Sequence, residues 1–219
     1  MKLSLANKAA ILIFLILLLD QSVKFWVKTH MFLHQSYHVF GDKFMIQFIE
    51  NNGMAFGMEF GGTAGKLLLS LFRILAVAGI GWYLIHLIKQ KAHTGFVLSI
   101  ALIFSGAIGN IIDSVFYGMI FSNSSDYQVA QLFPHGGGYS SFLHGKVVDM
   151  LYFPLFHGQF PSWIPFWGSD TFLFFSPVFN CADSSITIGV IIILLFQKKF
   201  FPKQETLEPV EEQTEQKLT

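Results

Sequence analysis

The chain has 219 residues, of which 53% are hydrophobic and only 13% charged, and its formal net charge at pH 7 is zero. So few charges do not keep a soluble globule of this size dispersed, and an integral membrane protein is the class this composition allows. Its only arginine, Arg73, lies inside an apolar run and leaves no basic surface for a nucleic acid, while the lone cysteine, Cys181, excludes an intrachain disulfide and a thiolate-cluster metal site.

The N-terminus opens with Lys2 and Lys8 around the start of AAILIFLILLL, in the manner of a secretory leader. No small-x-small cleavage site follows, and the run continues into Asp20, Gln21 and Ser22, so a retained first span is expected. A helix needs about 20 apolar residues to cross the hydrocarbon core, which predicts spans at about 5–26, 67–88, 96–114 and 177–197. The last two are short in apolar length and carry Asn and Asp at one end, as suits ends lying at an interface. Lysines set the direction: Lys2 and Lys8 flank the first span, Lys89 and Lys91 the turn between the second and third, and Lys198, Lys199 and Lys203 follow the fourth. An even number of spans puts these clusters, and both termini, on the cytoplasmic side, and sends the connections at about 27–66 and 115–176 outward.

The first connection alternates short apolar runs such as MIQFI with the turn formers Gly41-Asp42, Asn51-Asn52-Gly53 and Gly61-Gly62, and predicts a small β-structure at about 33–62. The second, rich in Ser, Gly, Pro and aromatics around FPHGGGYSSF, is expected to be irregular and to lie on the membrane surface. A single membrane domain over about 1–200 is expected, followed by a disordered cytoplasmic tail at about 201–219 that carries acids and no apolar period.

Acids at a membrane face are functional candidates. The third span closes on Gly109-Asn110-Ile111-Ile112-Asp113 and the fourth opens on Asn180-Cys181-Ala182-Asp183. Both are N-x-x-D, a spacing that puts Asn and Asp on one helical face, and both lie at the outer end, so helix logic makes Asp113 and Asp183 neighbours. A third acid, Asp149, sits in the apolar setting His144-Gly145-Lys146-Val147-Val148-Asp149-Met150, so three acids compete for two places. Two carboxylates sharing a site do not both ionise. One is then a base that activates water, and the other an acid that donates to the carbonyl oxygen and the leaving nitrogen of a peptide.

GNIID, HGKVVDM and FNCADSSI, with Asp20-x-x-x-Lys24 and Asn51-Asn52-Gly53-Met54-Ala55-Phe56, resemble in order the five signature blocks of bacterial lipoprotein signal peptidase (signal peptidase II) over about residues 15–190. The resemblance implies a mainly α membrane protein, a four-helix transmembrane bundle with a small extracytoplasmic β-cradle, here with a long outer-face insertion. It implies an aspartic endopeptidase of the bacterial inner membrane, without cofactor or metal. Its partners would be diacylglyceryl-modified prolipoproteins, cut before the modified cysteine, and membrane lipid, the enzyme itself acting as a monomer. By the same resemblance Asp149 and Asp183 are the catalytic pair near the outer leaflet, and Asp113 becomes a supporting acid. Asn110 and Asn180 would orient the carboxylates or the scissile carbonyl, Asn51 would hydrogen-bond substrate backbone with Gly53 in the same substrate-binding or supporting set, and Asp20 with Lys24 would brace the first span.

Two departures stand out. Ser114 follows Asp113 where the family has arginine, for which Arg73 is the substitute on offer. An insertion separates GNIID from HGKVVDM. The competing assignments are a proton-coupled transporter using the same acids as a relay, a membrane scaffold, a thiol protease pairing Cys181 with His144, and a metal held by His135, His144, His157 and Asp149. The glycines at 61–62 and 136–138 read as turns or hinges, and the FLFFSPVF and WIPFW runs as interfacial burial.

Overall fold

The computed structural model describes residues 3–53, 62–154, 156–159, 161–163, 171–174 and 177–201. Met54-Ala55-Phe56, most of WIPFW and the acidic tail lie outside the described residues.

Among the described residues four helices are long and apolar enough to cross a membrane: α1 (Leu5–His30), α2 (Gly62–Lys89), α3 (Thr94–Ile112) and, last in the chain, α5 (Cys181–Phe200). They match the expected spans with shifted ends. α1 runs past Trp26 to His30, and α3 continues through a π-helical turn, Asp113–Tyr117, into the short α4 (Gly118–Ile120). The fourth helix starts at Cys181 rather than near 177, because Asn180 caps it and Val178–Phe179 is a strand.

α3 is the central helix, packed against α1, α2 and α5. Its contact with α5 is close because small residues face each other, the usual way helices approach in lipid. A Cβ on Gly106 would run into the backbone carbonyl of Ala182, and one on Gly189 would come 2.7 Å from the Ser99 carbonyl. Ser185 Oγ adds a hydrogen bond of 2.8 Å to the Leu102 carbonyl. Gly106→Ala is therefore expected to overpack this seam and lower stability by about 1–3 kcal/mol, read as a lower unfolding midpoint in detergent. A wild-type midpoint would mean that the seam relaxes freely.

The sheet corrects the expectation for the second long connection. β1 (Ser36–Phe40) and β2 (Phe44–Asn51) form the expected hairpin, but β3 (Val147–Tyr152) and β6 (Val178–Phe179) join it in an antiparallel sheet ordered β1-β2-β3-β6, and β4 (Phe156–Gln159) pairs with β5 (Thr171–Phe174). So the connection contributes strands to the sheet and is not irregular throughout. Val147-Val148-Asp149-Met150-Leu151-Tyr152 is β-branched and aromatic enough to pair, and its period of two separates the faces. Val148 and Met150 enter a core with Val27, Met31, Phe48, Tyr117 and Phe121. Asp149, between them, turns the other way.

The inserted segment is held by a buried ion cluster. Lys28 pairs with Glu50, donates to Ser124 Oγ at 3.0 Å, and lies over the rings of Tyr139 and Phe121 at 4.9 and 5.3 Å from their centroids. Lys146 closes on the other oxygen of Glu50 at 3.3 Å. The insertion is thereby tied to α1 and β2, and through Lys146 to the start of β3.

Candidate active site

Asp149 and Asp183 reach the same asparagine from different elements. Asn180 Nδ2 donates to Asp149 Oδ1 at 2.7 Å, while the Asn180 backbone N–H donates to Asp183 Oδ2 at 3.3 Å. Asn51 Nδ2 donates to the second oxygen of Asp149, and Asn110 Nδ2 to the second oxygen of Asp183 at 2.8 Å. Each carboxylate thus accepts two N–H groups, and Asn180 is a hydrogen-bond donor to both.

Local structure explains these positions. Asn51 pairs with Val147 across the β2–β3 ladder, so it and Asp149 are diagonal neighbours on one sheet face. Asn180 is the N-cap of α5 and Asp183 its third residue. Asn180 Oδ1 accepts from the Asp183 N–H at 2.9 Å, and the Asp183 side chain returns to the Asn180 N–H, forming a capping box.

The identical N-x-x-D of α3 plays no capping part, because Asp113 lies where α3 runs on through the π-helical turn toward Ile120. There Asp113 is neutralised from α1: Lys24 Nζ lies 2.8 Å from Asp113, 2.9 Å from Asp20 and 3.0 Å from Asn110 Oδ1. Asp113 also accepts the Val148 N–H at 3.2 Å and Gln21 Nε2 at 3.1 Å, and Asp20 accepts the Ala182 N–H at 2.9 Å. All of Asp20, Lys24, Asp113 and Asn180 are fully buried. The hydrogen bonds also orient one amide. Asn110 Oδ1 faces two donors, Lys24 and Asn180 Nδ2 at 3.0 Å, so its Nδ2 must face Asp183.

Asp149, outside the spans, is 3% exposed. Burial first, and the charge of Asp183 second, push its carboxyl up to about 7 from an ordinary 3.8. Folding therefore favours its protonated form, and its contribution to stability falls as pH rises from 3.8 to about 7.

The nine residues to which the resemblance gave roles lie in or beside this network: Asp149, Asp183, Asn110, Asn180, Asp113, Asp20, Lys24, Asn51 and Gly53. Asp113 and Asp183 share no direct hydrogen bond among the described residues; Asn110 lies between them. Asn51, expected to meet substrate, holds Asp149 and accepts the Gly53 N–H here. Arg73 does not take a place beside Asp113. Its guanidinium donates to the Gly53 carbonyl, while Ser114 Oγ turns back to the Asn110 carbonyl at 3.0 Å.

Gln21, which donates to Asp20 and Asp113 and accepts the Tyr117 hydroxyl at 3.1 Å, escaped notice, although a glutamine beside an aspartate in an apolar run was a signal. Among the described residues no three His, Cys, Asp or Glu side chains converge as metal ligands.

Four apolar helices with buried acids at the end that carries a small sheet define a multi-pass membrane protein. A solved structure described as a bacterial membrane enzyme shares this fold, with a TM-score of 0.55 and 23% identity over 92% of this chain and 95% of its own. The family model described as signal peptidase (SPase) II matches residues 12–198. A lipoprotein signal peptidase of Porphyromonas gingivalis is 56% identical over 85% of this chain and 80% of its own, and one of Amoebophilus asiaticus is 39% identical over 83% and 73%. The chain belongs to the signal peptidase II family of membrane peptidases.

Proposed function

We propose that this protein removes the signal peptide from prolipoproteins by hydrolysing the bond before a diacylglyceryl-modified cysteine, with Asp149 and Asp183 as the catalytic pair. The carrying observation is that two carboxylates from separate elements are held by one asparagine at one end of a transmembrane bundle. Family membership and the relatives named lipoprotein signal peptidase support the substrate class. A proton-coupled transporter has no such support, and its relay would spread acids along the spans rather than gather them at one end.

The lysines Lys8, Lys89, Lys91, Lys198 and Lys199 stand at the helix ends opposite the acids, which favours a cytoplasmic location for both termini and a site at the outer leaflet of the bacterial inner membrane. There the substrate helix enters sideways between the spans and keeps its diacylglycerol in lipid, while its extended backbone crosses the acid pair. The enzyme acts as a monomer.

In the chemical step Asp183 takes a proton from water as the water oxygen bonds to the scissile carbonyl carbon, and Asp149 donates its proton to the carbonyl oxygen. As the carbon–nitrogen bond breaks, the proton gained by Asp183 passes to the departing amine, and the oxygen's proton returns to Asp149. No covalent intermediate is needed.

Asp149 must hold its proton for this, so kcat/KM is expected to fall on the alkaline side with an apparent pKa near 7. A pH series on diacylglyceryl-modified substrate in detergent checks it. A flat profile between about pH 6 and 9 would count against Asp149 as the acid.

A further inference from the structure

One face of α2 carries three polar side chains, Lys66, Ser70 and Arg73, at the spacing that stacks residues along a helix. Each grips chain beside the site. Lys66 Nζ donates to Asn52 Oδ1 at 2.8 Å, Ser70 Oγ to the Leu143 carbonyl at 3.0 Å, and the Arg73 guanidinium to the Gly53 carbonyl. Two of the three therefore hold the turn at 51–53, from which Asn51 reaches Asp149.

That turn is shaped around the guanidinium. Gly53 has φ +87°, a conformation other residues rarely adopt, and a Cβ built on it would lie 2.5 Å from Arg73 Nη1. The Gly53 N–H holds Asn51 Oδ1, which aims Asn51 Nδ2 at Asp149. From Arg73 the path to the acid is one glycine residue and one carboxamide.

The charge matters as well as the reach. The guanidinium is held on the Gly53 carbonyl, at the turn whose Asn51 donates to Asp149, so its positive charge is brought toward the acid pair. From α1, Lys24 faces the same region but is already paired with Asp20 and Asp113. An arginine remains charged at any working pH.

We infer that Arg73 is a positioning residue for the proposed reaction: it clamps the Asn51–Gly53 turn onto Asp149 and supplies the positive charge beside which the Asp149–Asp183 pair carries one negative charge. This rests on the aspartic reading above.

The test uses the full-length protein in detergent, cleaving a diacylglyceryl-modified prolipoprotein, with R73Q, R73K and D149N compared across pH. R73Q is expected to lower kcat about 10- to 100-fold, as loss of a residue that supports a catalytic group does. It should also move the pH optimum upward by about one unit, since losing a cation favours protonated carboxyls. R73K keeps the charge without the fork, and should leave the optimum in place while recovering part of the rate. An R73Q enzyme with an unmoved optimum, or within about twofold of wild-type kcat, overturns the inference. If R73Q does not fold, R73K decides alone: reduced kcat at an unmoved optimum supports the clamp, and wild-type kcat overturns it. An active D149N overturns the aspartic reading and the inference together, whereas an inactive D149N beside an unaffected R73Q removes only the role of Arg73.

Discussion

Asp149→Asn and Asp183→Asn are each expected to abolish cleavage of diacylglyceryl-modified prolipoprotein, lowering kcat at least about 1000-fold. Asparagine keeps the size of the side chain but neither takes nor releases the proton that must pass between the pair. The two losses are not independent, because one acid without the other has no partner in the step, so the double variant should be no slower than either single one.

Folding effects are separable from chemistry. The carboxamide introduced by Asp149→Asn would turn an NH2 toward either Asn51 Nδ2 or Asn180 Nδ2, both of which donate to Asp149. Asp183→Asn would weaken the capping box of α5, worth about 1 kcal/mol. Unfolding midpoints measured beside the rates tell a dead enzyme from an unfolded one. Full turnover by Asp149→Asn rejects the assignment, and loss confined to Asp113→Asn and Asp183→Asn would restore the symmetric N-x-x-D pair.

The largest expected loss of stability follows Lys24→Met. Its ammonium lies within 3 Å of two fully buried carboxylates, at 2.9 Å from Asp20 and 2.8 Å from Asp113, and removing it leaves both without a counter-charge. Breaking one buried ion pair typically costs about 3–5 kcal/mol, and here one cation serves two acids. Methionine fills nearly the same volume, so the loss reports charge rather than packing.

The diagnostic experiment adds Asp113→Asn to Lys24→Met: neutralising one stranded acid should recover part of the midpoint, although Asp113→Asn alone lowers activity by disturbing the Val148 N–H beside Asp149. An unfolding midpoint for Lys24→Met equal to wild type would show that water reaches these acids.

The spans were legible because lipid demands long apolar runs, and their polar ends flagged the site. Two N-x-x-D motifs at equal spacing suggested equivalent roles, which they do not have: one is a capping box at a helix N-terminus, the other lies inside a helical run that continues to Ile120 and depends on Lys24 from α1. Spacing within a helix carries no information on where along it the motif lies relative to its partners.

The strand that bears Asp149 was hidden in a loop. Six residues of period two are a weak signal, and their pairing partner lies about a hundred residues earlier, beyond any local pattern. The Lys28–Glu50–Lys146 cluster went unseen for the same reason, although Lys28 continues the inward stripe of Asp20 and Lys24 four residues on.

That stripe bears on biogenesis. α1 turns Phe14, Leu15, Leu18 and Leu19 outward to lipid while Asp20, Lys24 and Lys28 face inward. As a nascent hydrophobic segment it leaves the translocon with polar groups whose counterparts have yet to be synthesised, the last of them the Ala182 amide at the head of the final helix. The stripe is therefore fully paired only once the start of the final helix is in place.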